Sequence, residues 1–216
     1  MANPESFVVD QFPRKYWSVI PTVLRTAYGA VDNLVQNEPI LQVNSARDNK
    51  GRLISWAVDL GIQRAIVNGS IDCDYCWKDF AKPTGRYLEL RFSHSTASVS
   101  QVADPRFQPR SVAFRENARL SNQCVFDFGD EDDSMQVSGL PHFLILHGHQ
   151  ELSFAHLGLP SAHSSKFYSW RSPNLMHLPH ELHSDLPATE VTDNALDDLE
   201  LLKEDIDKWR RDNDND

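Results

Sequence analysis

The chain has 216 residues, 40% of them hydrophobic and 24% charged, with 31 acidic against 21 basic side chains, a formal net charge of −10 and three cysteines. That is the composition of a folded domain and excludes a disordered or collagen-like chain. No run of about eighteen apolar residues is present, Met1-Ala2-Asn3-Pro4 does not open a secretory signal, and three cysteines are too few for a disulfide scaffold, so a cytoplasmic protein without a membrane partner is expected.

Residues 1–15 show little periodicity and read as an N-terminal arm before a globular domain over 16–187. Pro21 suits the first turn of a helix predicted to run to about residue 36, with Val23, Leu24, Ala27, Val31 and Leu34 on one face and Pro39 ending it. A second helix is predicted from a cap at Asp48 to Asn68-Gly69, where glycine accepts a left-handed conformation. Leu53, Ile54, Ala57, Val58, Leu60, Ile62, Ala65 and Ile66 give it a broad apolar surface of the kind that packs on a sheet.

Residues 86–92 alternate, with Leu88, Leu90 and Phe92 set against Tyr87, Glu89 and Arg91, and predict a strand. Shorter strands are predicted over 97–102, 111–115 and 123–128, with an exposed acidic loop over 129–134. Residues 141–157 read as a hairpin turning at 148–151, and a short strand is predicted over 166–170. The last element, within a tail over 188–216, is an acidic amphipathic helix over about 192–211. Its Ala195, Leu199, Leu202, Ile206 and Trp209 form one seam, with Leu199, Leu202, Ile206 and Trp209 offered to a partner or to the chain's own domain. The expected fold is α+β: two N-terminal helices packed on a mainly antiparallel sheet, closed by the acidic C-terminal helix.

The charge is unevenly placed. Residues 185–216 hold twelve acidic and four basic side chains, whereas 82–120 hold seven basic ones against three acidic. Overall acidity therefore does not exclude an anionic ligand. In the basic stretch Arg91, Arg106, Arg110, Arg115, Asn117 and Arg119 lie among aromatics. Guanidinium forks match phosphate or carboxylate oxygens, and aromatic rings give bases a stacking face. Pairing of these arginines with the protein's own carboxylates is the competing reading.

Eight of the nine histidines fall between His142 and His183. His147-Gly148-His149 with Glu151 superficially resembles the paired histidines and glutamate of cupin-type barrels, but the interval to the glutamate is too short and no second half-motif follows. His147, His149, Glu151 and His156 are accordingly weak metal candidates, and no metal is favoured. Cys73-Asp74-Tyr75-Cys76 is a single CxxC without the second pair a zinc site needs, so structural thiols are expected. Asp72, Asp74 or Asp79 ahead of Glu89-Leu90-Arg91 partly resembles the PD-(D/E)xK nuclease pattern, with Arg91 where a lysine belongs; a permanently protonated guanidinium is a poor activator of water.

Three functions remain open at this point. The first is binding of nucleic acid or a nucleotide through the arginine-rich segment, regulated by the acidic helix. The second is a non-catalytic interaction module that docks a partner through that helix. The third is a metal-dependent hydrolase or nuclease. The sequence alone assigns neither a cofactor nor a catalytic residue.

Overall fold

The computed structural model describes residues 3–80, 85–122 and 139–178. Within them the protein is α+β: the N-terminal helices pack on one face of a mixed six-stranded sheet whose strands follow chain order across it. The predicted strand over 123–128, the loop over 129–134 and the C-terminal helix with its seam lie outside the described residues.

The N-terminal segment departs from the expected arm. Pro4–Gln11 forms helix α1, started by Asn3, whose side chain accepts from Glu5 N–H at 3.0 Å, and by proline in the first turn. Val8 and Phe12 are fully buried against the sheet. Gln11 Oε1 accepts from Ser93 Oγ (3.3 Å), His94 N–H (2.8 Å) and Ser95 Oγ (3.1 Å), tying the helix to the turn after residue 92. One apolar side chain per turn suffices to dock so short a helix, and that leaves almost no periodic trace in the sequence.

Helix α2, Val19–Asn37, buries Ile20, Leu24, Ala27, Tyr28 and Val31 and stops before Pro39, as its pattern predicts. Leu34, the last of the predicted face, is 42% exposed. A four-residue helix α3, Asn44–Arg47, precedes α4, Lys50–Val67. Asp48 therefore ends α3 and does not cap α4, which begins after Asn49 without a side-chain cap. Gly69 has φ +79°, the left-handed conformation expected at the end of α4. Helices α2 and α4 run against each other so closely that a Cβ on Gly61 would lie 2.7 Å from Val23 Cγ1. The buried stripe of α4 is narrower than predicted: Ile54, Val58, Ile62 and Ala65 face inward, while Leu60 is exposed.

The strands are β1 Asp74–Asp79, β2 Arg86–Arg91, β3 Thr96–Val102, β4 His142–Gly148, β5 Ala155–Pro160 and β6 Tyr168–Arg171. All neighbours pair antiparallel except β3 and β4, which are parallel. Parallel strands need a long crossover, and the chain between residues 102 and 142 supplies it. That crossover contains α5, Ala113–Leu120, where the sequence predicted a strand over 111–115. Phe114 and Arg115 both turn toward the sheet, and consecutive side chains can share a direction on a helix but not on a strand. The hairpin of β4 and β5 forms in the predicted place, but its strands end at Gly148 and resume at Ala155, so the connection is longer than a four-residue turn. β1 was not predicted.

The main core joins the inner sides of α1, α2 and α4 to Leu88, Leu90, Ala97, Phe143, Ile145, Leu157 and Leu159. Alternation sends Thr96, Ser98, Ser100, His142, Leu144, Leu146 and His156 to the other face.

Candidate functional site

This second face is buried and mixed: Val102, Leu144, Leu146 and Phe154 form a small apolar cluster, and polar side chains lie beside it. His142, 3% exposed, lies between two hydroxyls of the neighbouring parallel strand, with Nδ1 2.8 Å from Thr96 Oγ1 and Nε2 3.0 Å from Ser98 Oγ. Burial, aided by the nearby Arg115 charge, pushes its pKa down to about 4, so the ring is neutral at pH 7. Asn122 fixes the strand beside it: its Nδ2 donates to the carbonyls of His142 and Pro160, and its Oδ1 accepts from His142 N–H at 2.7 Å.

Arg115 reaches inward from α5. Its Nη2 donates to Ser100 Oγ at 3.2 Å and its Nη1 to the Arg110 carbonyl at 3.0 Å, while its Nε is buried without a hydrogen-bond partner. No carboxylate lies within ion-pair distance of Arg115 among the described residues. Burial lowers its pKa, yet a guanidinium keeps its charge in proteins. The guanidinium carbon is 5.1 Å from the centroid of Phe114, and that ring stacks on Tyr87 at 4.2 Å, which in turn stacks on Phe80 at 5.5 Å. A small pocket opens beside Arg115, lined by Gln108, Ser111, Glu116, His142, Leu144 and Ser165 among others. Glu116, a carboxylate in the same lining, is already engaged: Oε1 accepts from Ser111 Oγ at 2.5 Å and Oε2 from Arg119 at 2.8 Å, and these bonds hold its carboxyl below the usual range.

The six residues predicted to bind an anion do not converge. Arg91, on β2, bonds Glu89 at 3.1 Å, and Arg106 forms a fork with Asp104, its shortest contact being 2.6 Å. That fork pulls the Asp104 carboxyl down to about 2. Arg119 is engaged by Glu116 and by the carbonyls of Ser161 and Ala162. Asn117 is on the exposed side of α5, and Arg110 is exposed with no ion pair among the described residues. Of the five arginines in this set, Arg115 is the inward-facing one that has no ion pair among the described residues. Sequence reasoning missed His142, Ser98, Ser100, Gln108 and Ser111 as its neighbours, although small hydroxyls at Thr96, Ser98 and Ser100 alternating with Ala97 and Val99 signal a polar sheet face.

The metal candidates also separate. His147 points to the helical face, where its Nδ1 is 2.7 Å from Tyr28 Oη. Tyr28 gives its one hydroxyl proton to the Gly148 carbonyl, so the histidine is the donor in that pair. Burial pushes the pKa of His147 down to about 4. His156 pairs with Leu146 and so lies on the opposite face, with Nδ1 2.9 Å from the Ser172 carbonyl. His149 sits over Gly51, and Glu151 is exposed in the connection. Among the described residues no group of three or more His, Cys, Asp or Glu is placed to hold a metal ion. Cys73 and Cys76 are free thiols, and burial pushes Cys73 up to about 12, far from a thiolate at neutral pH.

Among the described residues no helix is long and apolar enough to cross a membrane. Comparison with protein-family models, with curated proteins and with solved structures returns no match.

Proposed function

We propose that this protein binds a phosphate-bearing small ligand of the nucleotide class at the surface opening beside α5, with Arg115 as the anchor for a phosphate oxygen; the opening has room for about one water, so the rest of the ligand lies outside it. What carries the reading is one observation: the half-buried Arg115 has no carboxylate within ion-pair distance among the described residues and retains a buried, unpartnered Nε, beside a pocket lined by Gln108, Ser111, Ser165 and the engaged Glu116 among others. Burying a charge without a counter-ion costs several kcal/mol, roughly, and an incoming anion offsets that cost. Ser165 lies at the same opening, while Ser111 and Gln108 there already donate to Glu116 and to the carbonyls of Ser164 and Phe167; the Phe114 ring beside Arg115, stacked on Tyr87, is an aromatic surface suited to a base.

A nucleotide fits better than a nucleic-acid polymer. A polymer needs a track of free cations along its backbone, and Arg91, Arg106 and Arg119 are each paired with their own carboxylates. Calorimetric titration of the full chain with ATP, inorganic phosphate and a single-stranded oligonucleotide tests this. ATP is expected to bind, with binding lost in Arg115→Met and retained in Arg91→Ala and Arg106→Ala. Absence of binding to all three anions, or equal loss in all three variants, overturns the proposal.

A further inference from the structure

The sheet ends at β1, and among the described residues no strand pairs with its outer edge. An open edge presents backbone donors and acceptors to any incoming strand, so its side chains decide what it accepts. On β1, Trp77 is 44% exposed although its cross-strand neighbour Leu88 is 1% exposed. The helical layer that covers Leu88 does not reach the tryptophan.

The order of side chains along β1 is self-complementary. Paired antiparallel with a second copy about Cys76, the strand sets Asp74 opposite Lys78 and Tyr75 opposite Trp77, each twice by symmetry, with Cys76 opposite its own counterpart. Opposite charges and aromatic pairs placed directly across an antiparallel ladder are the stabilising combinations. A one-residue slip loses this match, since pairing about the Cys76-Trp77 bond brings Asp74 against Asp79. The Cys76 register also keeps the polar faces of both copies on one side, because facing residues then have the same parity. Lys78 is free to take such a partner: its Nζ is 3.9 Å from Glu89 Oε1, an oxygen already bonded by Arg91 at 3.1 Å.

We propose that two copies of this chain associate edge to edge through β1, antiparallel about Cys76, in one continuous sheet. Sedimentation equilibrium of the full chain is expected to show a concentration-dependent dimer. Asp74→Lys places lysines at both 74 and 78 and Lys78→Asp places aspartates at both, so each variant alone sets like charges opposite each other twice. Self-association of either is expected to weaken about tenfold. An equimolar mixture of the two variants is expected to recover the wild-type affinity, because every substituted position then meets an opposite charge. Far-UV circular dichroism establishes that each variant is folded, and should one fail to fold, self-association of the other alone still reads the register. A wild-type chain that stays monomeric, or a dimer equally tight in the variants and their mixture, overturns the proposal.

Discussion

The two faces of the sheet bury their side chains equally well by different means. On the helical face Phe143, Ile145, Leu157 and Leu159 are completely covered by apolar side chains, including Phe12, Ile20 and Ile54. On the other face Ser98, Ser100 and His142 are nearly as inaccessible, and each is held by hydrogen bonds to a side chain or carbonyl. Stability on the first face comes from area removed from water; on the second it depends on every polar group finding a partner. On the second face Arg115 Nε is left unsatisfied and so has a use for a ligand; the other buried side-chain polar atom without a partner among the described residues, Gln101 Oε1, faces α4.

The largest effect expected from this contrast is on the helical face. Phe143→Ala removes a fully buried ring from the cluster it forms with Phe12 and Phe92 and is expected to cost about 3–5 kcal/mol in urea unfolding. Ser98→Ala, at a position just as buried, removes one hydrogen bond to His142 and is expected to cost about 1 kcal/mol. Equal losses in the two variants would break the distinction between the faces.

The next effect is on pH dependence. His142 and His147 stand on opposite faces, and burial pushes both down to about 4 from an ordinary value of 6.5. Between those values the unfolded chain binds more protons than the folded one, so stability rises with pH. It is complete above about pH 6.5 and is lost as pH falls toward 4, by roughly 3 kcal/mol per histidine at most. Asp59, on α4, works against this: burial pushes its carboxyl up to about 7, so between pH 4 and 7 the folded chain holds a proton that the unfolded chain has released. Urea unfolding of Asp59→Asn across pH 4 to 8 is therefore expected to show a steeper acid loss than the wild type, with higher stability at pH 8. Identical pH profiles in the two proteins would contradict that assignment.

The helical face was legible in the sequence and the polar face was not, for physical reasons. Leu24, Ala27 and Val31 repeat at helical spacing, and Leu88 and Leu90 alternate with charge, so local periodicity reports burial directly. His142 is made by partners 46 and 44 residues away on a parallel neighbour, and nothing local encodes which strand runs beside it in parallel. The segment over 111–115 is too short to separate a period of two from one of 3.6, and the inward direction of both Phe114 and Arg115 decides for helix. In β1 the alternation of Tyr75 and Trp77 with polar residues was present, but an edge strand that leaves its tryptophan exposed carries a weak burial signal. Of the arginines, sequence identified the right segment and could not tell Arg115 from those whose carboxylates lie two or three residues away, at Asp104 for Arg106 and Glu116 for Arg119.

The smallest expected stability effect, and the one that most sharpens the comparison, is at Arg115 itself. An isolated pairing argument predicts a large loss when a buried, hydrogen-bonded arginine is removed. Among the described residues the guanidinium has no counter-ion to strand, and Met replaces its stem with apolar volume beside Leu144, at the cost of the hydrogen bonds Arg115 donates to Ser100 Oγ and the Arg110 carbonyl. Relief from burying the charge and loss of those bonds oppose each other, so Arg115→Met is expected to lie within about 1 kcal/mol of the wild type in urea unfolding without ligand. With saturating ATP the wild type is expected to gain stability while the variant gains none, because only the folded wild type binds. A loss of several kcal/mol in the absence of ligand would make Arg115 a structural member of its face, equivalent to His142, and would remove the reason for a ligand there.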